Sequence, residues 1–256
     1  MTDLGFRFEP GAAGSPVIVH VPHASRHIPV AVRSGLLLDD PSVRRELDLM
    51  TDAHTDVMAG RAAAAARLVP WCFVNLMSRL VVDPERFPDE REDMLAVGMG
   101  AVYTRTSDGV PLRADTFDDD LLERWFRPYA QAMTDLVDQR LAAAGRAVIV
   151  DVHSYPRERL PYERGGPERP EICLGTDADH TPAWLVDAAH SAFADYERAE
   201  NTPFAGCYVP LKHYGHDPRV SGIMIEIRRD LYRAGTAGLD GIVAALTTLV
   251  DGIPDV

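Results

Sequence analysis

An α/β layer fold built on a mostly parallel sheet is predicted by three features of the sequence. Short apolar runs alternate with helix-patterned segments through most of the chain. Several of those runs stop abruptly at histidine, aspartate or glutamate, as strands do when they deliver polar groups to a sheet edge. The chain has 256 residues, 46% of them hydrophobic and 25% charged, enough to bury a large core without disulfide staples. One domain over 1–256 is the simplest division, because no repeat, low-complexity tract or long linker interrupts it.

The elements follow in order. PVIVHV (16–21) is an apolar run entered from Gly/Ser/Pro punctuation and predicts a buried strand. Residues 42–67 predict one long helix, with Ser42 as N-cap and the alanine run 62–66 raising helix propensity. WCFVNL (71–76) predicts a second strand, and the Pro-, Gly- and charge-rich stretch 84–117 an excursion over the surface. Residues 119–144 predict a second long helix, interrupted near Pro128. AVIVDVH (147–153) is the clearest strand. Residues 155–170 predict a loop, EICLGT (171–176) a short strand and 182–197 a helix. GIMIEI (222–227) predicts a buried strand carrying a glutamate, and 238–251 the closing helix.

Composition excludes several classes of function. The net charge is −13, so the bulk surface is a poor partner for nucleic acid or anionic membranes. Cys72, Cys173 and Cys207 are odd in number and far apart, which gives neither a disulfide framework nor metal spacing and suits a reducing cytoplasm. The N-terminus carries no signal-peptide pattern, and no apolar run is long enough to cross a membrane. No G-x-S-x-G elbow, P-loop, G-x-G-x-x-G or H-E-x-x-H motif is present.

The chemistry-bearing residues cluster at strand ends, where parallel sheets bind ligands. The first strand runs into His20-Val21-Pro22-His23-Ala24-Ser25, and the strand at 147–152 delivers Asp151-Val152-His153-Ser154. Histidines at matched strand ends are either metal ligands or satisfied core groups; imidazole is the commonest ligand, and catalytic zinc often takes two His and one carboxylate. Asp48, Asp52 and Asp56 fall four apart, which on a helix is one acidic face, open to solvent or to a cation. Glu226 is a carboxylate within an apolar strand: a structural partner for Arg228 or a general base whose pKa is set by burial. Arg79 and Arg86 flank Asp83 and Glu85, and either pair with those acids or clamp an acidic substrate.

Taken together, the pieces His-Val-Pro-His-Ala-Ser (20–25), Thr-Asp-Ala-His (51–54), Ser-Arg-Leu-Val-Val-Asp-Pro-Glu-Arg (78–86), Asp-Val-His-Ser (151–154), His-Tyr-Gly (213–215) and Ile-Glu-Ile-Arg-Arg-Asp-Leu-Tyr (225–232) resemble the N-formylglutamate amidohydrolase family over about residues 16–235. The resemblance implies a zinc-carboxypeptidase-like, three-layer α/β/α fold with a mixed central sheet. It implies one Zn2+, hydrolysis of an N-formyl or N-acyl amino acid to the free acid and amine, and a small anionic acyl-amino-acid substrate. It implies His23, Asp52 and His153 as metal ligands, Glu226 as the catalytic glutamate, and Arg79, Arg86, His213 and Tyr214 at the substrate. The loop 98–113 resembles a subgroup feature in which Arg105 or Arg113 adds to substrate binding. Glu85 stands where many members carry asparagine. Two alternatives remain beside the deformylase: another zinc amidohydrolase or carboxypeptidase-like enzyme, and a non-catalytic metal- or ligand-binding protein on the same fold.

Overall fold

The computed structural model describes residues 5–114, 119–163, 168–233 and 235–254. Seven strands form one mixed sheet: β1 (Phe6–Glu9), β2 (Val17–Val21), β3 (Trp71–Asn75), β4 (Ala147–Tyr155), β5 (Ile172–Gly175), β6 (Arg198–Glu200) and β7 (Val220–Arg228), in the order β1-β3-β2-β4-β7-β5-β6. The four central strands β3, β2, β4 and β7 are parallel; β1 runs antiparallel to β3, and β5 antiparallel to β7. The helices are α1 (Val30–Arg33), α2 (Asp40–Met50), α3 (Thr55–Ala65), α4 (Asp119–Leu121), α5 (Arg127–Ala144), α6 (Ala183–Ala192), α7 (Asp230–Arg233) and α8 (Thr236–Gly252). Among the described residues no helix is long and apolar enough to cross a membrane.

Strand alternation explains the layers. On β2 and β4 the residues Val17, Val19, Val148, Val150 and Val152 face one side of the sheet, where α3, α6 and α8 cover them through Met58, Ala62, Leu185, Leu246 and Leu249. Ile18, Ala147 and Ile149 face the other side, under Met133, Leu136 and Val137 of α5. Both faces are therefore packed, which is why the central strands are nearly continuous apolar runs.

The expected elements are present, with four differences. The helix expected over 42–67 is two helices. It is capped by Asp39, whose side chain accepts from Ser42 N, and it breaks at Thr51–His54, where His54 takes a left-handed conformation with φ 69°. The acidic residues thus do not share a helix face. Asp48 stays on the surface against Arg26, while Asp52 lies in the break, its backbone N–H donating to His23 O at 2.9 Å. The helix expected over 119–144 begins with a short α-turn and a π-helical turn at Leu122–Phe126, before Pro128 enters at the start of α5. Edge strands β1 and β6 carry too much charge and too little apolar pattern to be expected from the sequence. The excursion after residue 84 contains the 3-10 turn Asp93–Val97; residues 115–117 of that excursion, and 164–167 of the loop expected over 155–170, lie outside the described residues.

At the end of β5 the chain has no room for a side chain. A Cβ on Gly175 would stand 2.4 Å from Gly206 O and 2.9 Å from Met224 Cβ. Gly175→Ala is expected to lower stability by about 1–3 kcal/mol, seen as a lower midpoint in a thermal or urea melt. An unchanged midpoint would show that the 203–206 segment yields freely.

Candidate active site

The carboxyl ends of β2, β4 and β7 open into a cavity of about 800 Å³. Histidine and carboxylate groups line it together with Arg79 and Arg86 and with Phe204, Tyr208 and Tyr214. Each polar group is there for a local reason. His23 follows β2 directly, His153 lies near the end of β4, and Glu226 is its register partner on β7. Asp52 arrives from the break between α2 and α3, and Asp83 and Glu85 from the loop that follows β3.

Three ligand atoms converge. His23 Nδ1 and His153 Nδ1 are 3.3 Å apart, and Asp52 Oδ2 lies 3.2 Å from His153 Nδ1 and 3.7 Å from His23 Nδ1. The other nitrogen of each ring faces a carboxylate: His23 Nε2 is 2.9 Å from Asp83 Oδ1, and His153 Nε2 is 3.1 Å from Asp151 Oδ2. With its Nε2–H donating to Asp83, His23 turns a bare Nδ1 toward His153 Nδ1 and Asp52, while His153 Nε2 has no hydrogen-bond partner among the described residues. Such an arrangement repels itself unless a proton or a cation stands among the three atoms. Bonds of about 2.0–2.1 Å to a tetrahedral zinc separate ligand atoms by roughly 3.4 Å, a spacing these three atoms fit. Glu85 offers a carboxylate from the opposite side, 3.3 Å from His153 Nε2 and 3.6 Å from His23 Nε2, so His23, Glu85 and His153 form a second candidate grouping. A third grouping, His20, Glu85 and Asp151, lies behind it. On the Nδ1 side three donor atoms lie within 3.7 Å of one another, while on the other side Asp83 already engages His23 Nε2.

The electrostatics agree. Asp52, Asp83, Glu85, Asp151 and Glu226 outnumber Arg79, Arg86 and Arg229, and Arg86 also leans on Glu92 at 3.6 Å. Protons or a cation must answer the carboxyl excess. Burial disfavours the imidazolium of His153, yet Asp151 and Glu85 outweigh burial and raise its pKa well above the usual value. Burial likewise opposes ionisation of Asp52, but hydrogen bonding to His153 and His23 and the Arg229 guanidinium hold it well below the ordinary carboxylate range. Glu226 behaves in the opposite way. Burial pushes its carboxyl up to about 7, with His153 pulling against the shift and Asp52 adding to it. Its Oε2 is buried with no hydrogen-bond partner among the described residues. Arg228 turns away to Asp230, at 2.7 Å, and does not pair with Glu226.

Arg79 and Arg86 both line the cavity, and both lean on Asp83. Arg79 donates to Asp83 Oδ2 at 2.7 Å and to the Tyr103 hydroxyl at 3.0 Å; Arg86 Nε is 3.6 Å from the same carboxylate oxygen. Tyr214 reaches the cavity, its hydroxyl donating to Asp177 at 3.1 Å. His213 does not. It stands between Asp138 and Asp217 at 3.1 and 3.2 Å, in a shallow surface hollow, because its turn points it away from the strand ends. Arg105 lies in a small loop pairing with Gly109 O and is not among the cavity-lining residues. Arg113 is buried and donates to Leu80 O. Sequence reasoning missed Arg229, which donates to Asp52 Oδ1 at 3.0 Å; its place directly after the glutamate-bearing strand was the available signal.

Fold and site together define an α/β protein with an open cavity over the carboxyl ends of its parallel strands, where such sheets bind small ligands. The profile of the N-formylglutamate amidohydrolase family matches residues 15–233. The N-formylglutamate deformylase of Pseudomonas putida is 25% identical over 237 residues, covering 86% of this chain and 83% of the relative. The crystal structure of N-formylglutamate amidohydrolase from Ralstonia eutropha superposes with a TM-score of 0.77 at 21% identity, covering 97% of this chain and 96% of the other. A gene product of Agrobacterium tumefaciens superposes with a TM-score of 0.68 at 19% identity, over 96% and 93%. The two structures bear out the fold. The chain belongs to the N-formylglutamate amidohydrolase family.

Proposed function

We propose that this protein is a zinc-dependent deformylase that hydrolyses N-formyl-L-glutamate to formate and L-glutamate. His23, Asp52 and His153 would hold the ion. The observation that carries the reading is the convergence of His23 Nδ1, His153 Nδ1 and Asp52 Oδ2 beside a glutamate whose carboxyl titrates at about 7. When bound, the ion supplies Lewis acidity, which polarises an amide carbonyl and lowers the pKa of water toward neutrality.

The chain's own groups do the rest. Glu226 takes a proton from the attacking water as its oxygen bonds to the formyl carbon. The same carboxyl returns that proton to the amine nitrogen as the C–N bond breaks. A pKa near neutrality suits both transfers. Arg79 and Arg86 take the substrate carboxylates and so orient the scissile amide; Asp83 holds their guanidinium groups in place. Arg86, the more exposed of the two, is the better entry point for a test. Arg86→Ala is expected to raise KM for N-formylglutamate by roughly 10- to 100-fold while changing kcat less. An equal loss on a neutral N-formyl amide would remove the clamp from the reading.

One observation favours a second substrate. Phe87, Phe204, Tyr208 and Tyr214 give the cavity an aromatic wall larger than a formyl group needs, which suits a bulkier acyl-amino acid. The deciding experiment is formate release from N-formyl-L-glutamate by zinc-loaded protein, with a chelator-treated control. Chelator-sensitive release supports the deformylase. Zinc bound at one equivalent without formate release rejects this substrate and moves the reading to larger N-acyl amino acids. Zinc binding without turnover of any acyl-amino acid favours a non-catalytic binding protein.

A further inference from the structure

The loop 98–113 sends one side chain, Tyr103, against an arginine that the proposed reaction uses as a clamp. Tyr103 has no exposed surface and is not among the cavity-lining residues. It packs with Leu47, Met50, Leu80, Met99 and Leu112. The loop around it is tied down. Asp83 N donates to Ala101 O and Leu112 N to Thr104 O, each at 2.8 Å. Ser107 donates from N and Oγ to the buried side chain of Glu46 on α2, at 2.6 and 2.9 Å. The Tyr103 hydroxyl is therefore delivered to a fixed place.

At that place acceptors are short. Asp83 has two oxygens and two neighbours to serve: Oδ1 takes His23 Nε2 at 2.9 Å, which leaves Oδ2 for Arg79 Nη2 at 2.7 Å. A guanidinium edge presents two parallel N–H groups and is held best by two acceptors. Tyr103 supplies the second. Its hydroxyl oxygen accepts from Arg79 Nε at 3.0 Å, and its O–H donates to Asp83 Oδ2 at 2.6 Å. Burial raises the pKa of this phenol, against the pull of Arg79, so the proton for that donation stays on the oxygen. Arg79 Nη1 makes no hydrogen bond within the described residues, and Arg79 lines the cavity. Arg86 has no such mount: its Nε is 3.6 Å from Asp83 Oδ2 and its Nη1 3.6 Å from Glu92 Oε1.

We propose that Tyr103 is a positioning residue for recognition of substrate charge: it holds the Nε edge of Arg79 so that Nη1 stays free for the carboxylate of an anionic substrate. The proposal rests on the reading of Arg79 as a clamp. Its gain is preorganisation, because a long side chain that is already fixed loses less freedom when a ligand arrives. The loop expected to bring Arg105 or Arg113 to the substrate brings a phenol instead, which acts through Arg79.

The test compares Tyr103→Phe, Arg79→Ala and the double variant with wild type, all zinc-loaded, with thermal melts as the fold control. The substrates are N-formyl-L-glutamate and the neutral N-formyl-L-glutamine amide. Tyr103→Phe is expected to raise KM for the anionic substrate by roughly 3- to 10-fold, with kcat within about twofold and the neutral substrate unaffected. In the Arg79→Ala background it should add nothing, because its target is gone. An equal loss on both substrates, no loss on either, or a full effect in the Arg79→Ala background would overturn the proposal. A second readout needs neither ion nor turnover: exchange of the Arg79 Nε–H proton, followed by NMR of 15N-arginine-labelled, metal-free protein. Exchange should be roughly 10-fold slower than at Arg86 in wild type, and faster in Tyr103→Phe. Equal rates at the two arginines overturn the proposal even where the variant does not fold. If Arg79→Ala leaves KM for the anionic substrate unchanged while Nε exchange is slow, the clamp reading has failed and the mount has not. A wild type that hydrolyses neither substrate fails that reading too, and the exchange rates alone then decide on the mount.

Discussion

Glu226→Gln protein is expected to bind one equivalent of zinc, melt within a few degrees of wild type and lose about 10²–10⁴ in kcat. The substitution keeps the shape of the side chain and removes its ability to accept a proton. The fold should tolerate it, because burial already pushes the carboxyl up to about 7 and its Oε2 has no hydrogen-bond partner among the described residues. KM for N-formylglutamate should move little, since in the proposed reading Arg79 and Arg86, not Glu226, take the anionic end. Zinc content, melting temperature and steady-state kinetics check the three parts together. A variant with wild-type turnover would place the base elsewhere; one that loses zinc as well would mean that Glu226 holds the ion.

Asp83→Asn is expected to be the most damaging single change to stability. Asp83 has no exposed surface, and its carboxylate accepts from Arg79 at 2.7 Å, Tyr103 at 2.6 Å and His23 Nε2 at 2.9 Å. Removing its charge leaves the guanidinium of Arg79 buried without its counter-ion, a loss of about 3–5 kcal/mol. For a chain of this length each kcal/mol moves the melting point by about 2–4 °C. A drop of about 6–20 °C is therefore expected. The pH dependence has a definite sign. Burial opposes ionisation of Asp83, but Arg79 and His23 prevail and hold its folded pKa well below the usual value. The stabilisation is complete above the ordinary carboxylate pKa and is lost as pH falls through the depressed one. Asp83→Asn should accordingly flatten the acid limb of the stability curve. A variant as stable as wild type at neutral pH would show that the buried ion pair contributes nothing net.

The sequence made the centre of the sheet legible and hid its margins, for physical reasons. β2, β4 and β7 are covered on both faces, so they read as apolar runs ending in polar residues, and those ends point to His23, His153 and Glu226. β1 and β6 lie at the edges, where nothing forces an apolar pattern. The break that brings Asp52 inward contains neither glycine nor proline, and the left-handed turn falls on His54, so pattern alone predicts one continuous helix. Tertiary contacts decide the outcome: the backbone of Asp52 is tied to His23, and its side chain to Arg229. Asp83 and Glu85 sit in a loop with no period, so their place behind two histidines could not be inferred from spacing. Family likeness pointed to His213 as a substrate group, yet the turn that carries it also supplies Asp217 as its partner.

The two edge strands carry a consequence for how the protein behaves in company. An open sheet ends in unpaired backbone groups, which invite a strand from another molecule. Here one edge is only four residues long, carries Arg7 and Glu9, and is mostly exposed; the other is three residues long and reads Arg-Ala-Glu. Neither offers a flat apolar template, and a second copy approaching either edge brings its own −13 charge with it. Both edges thus lack the long, flat, apolar strand on which sheets of two molecules pair.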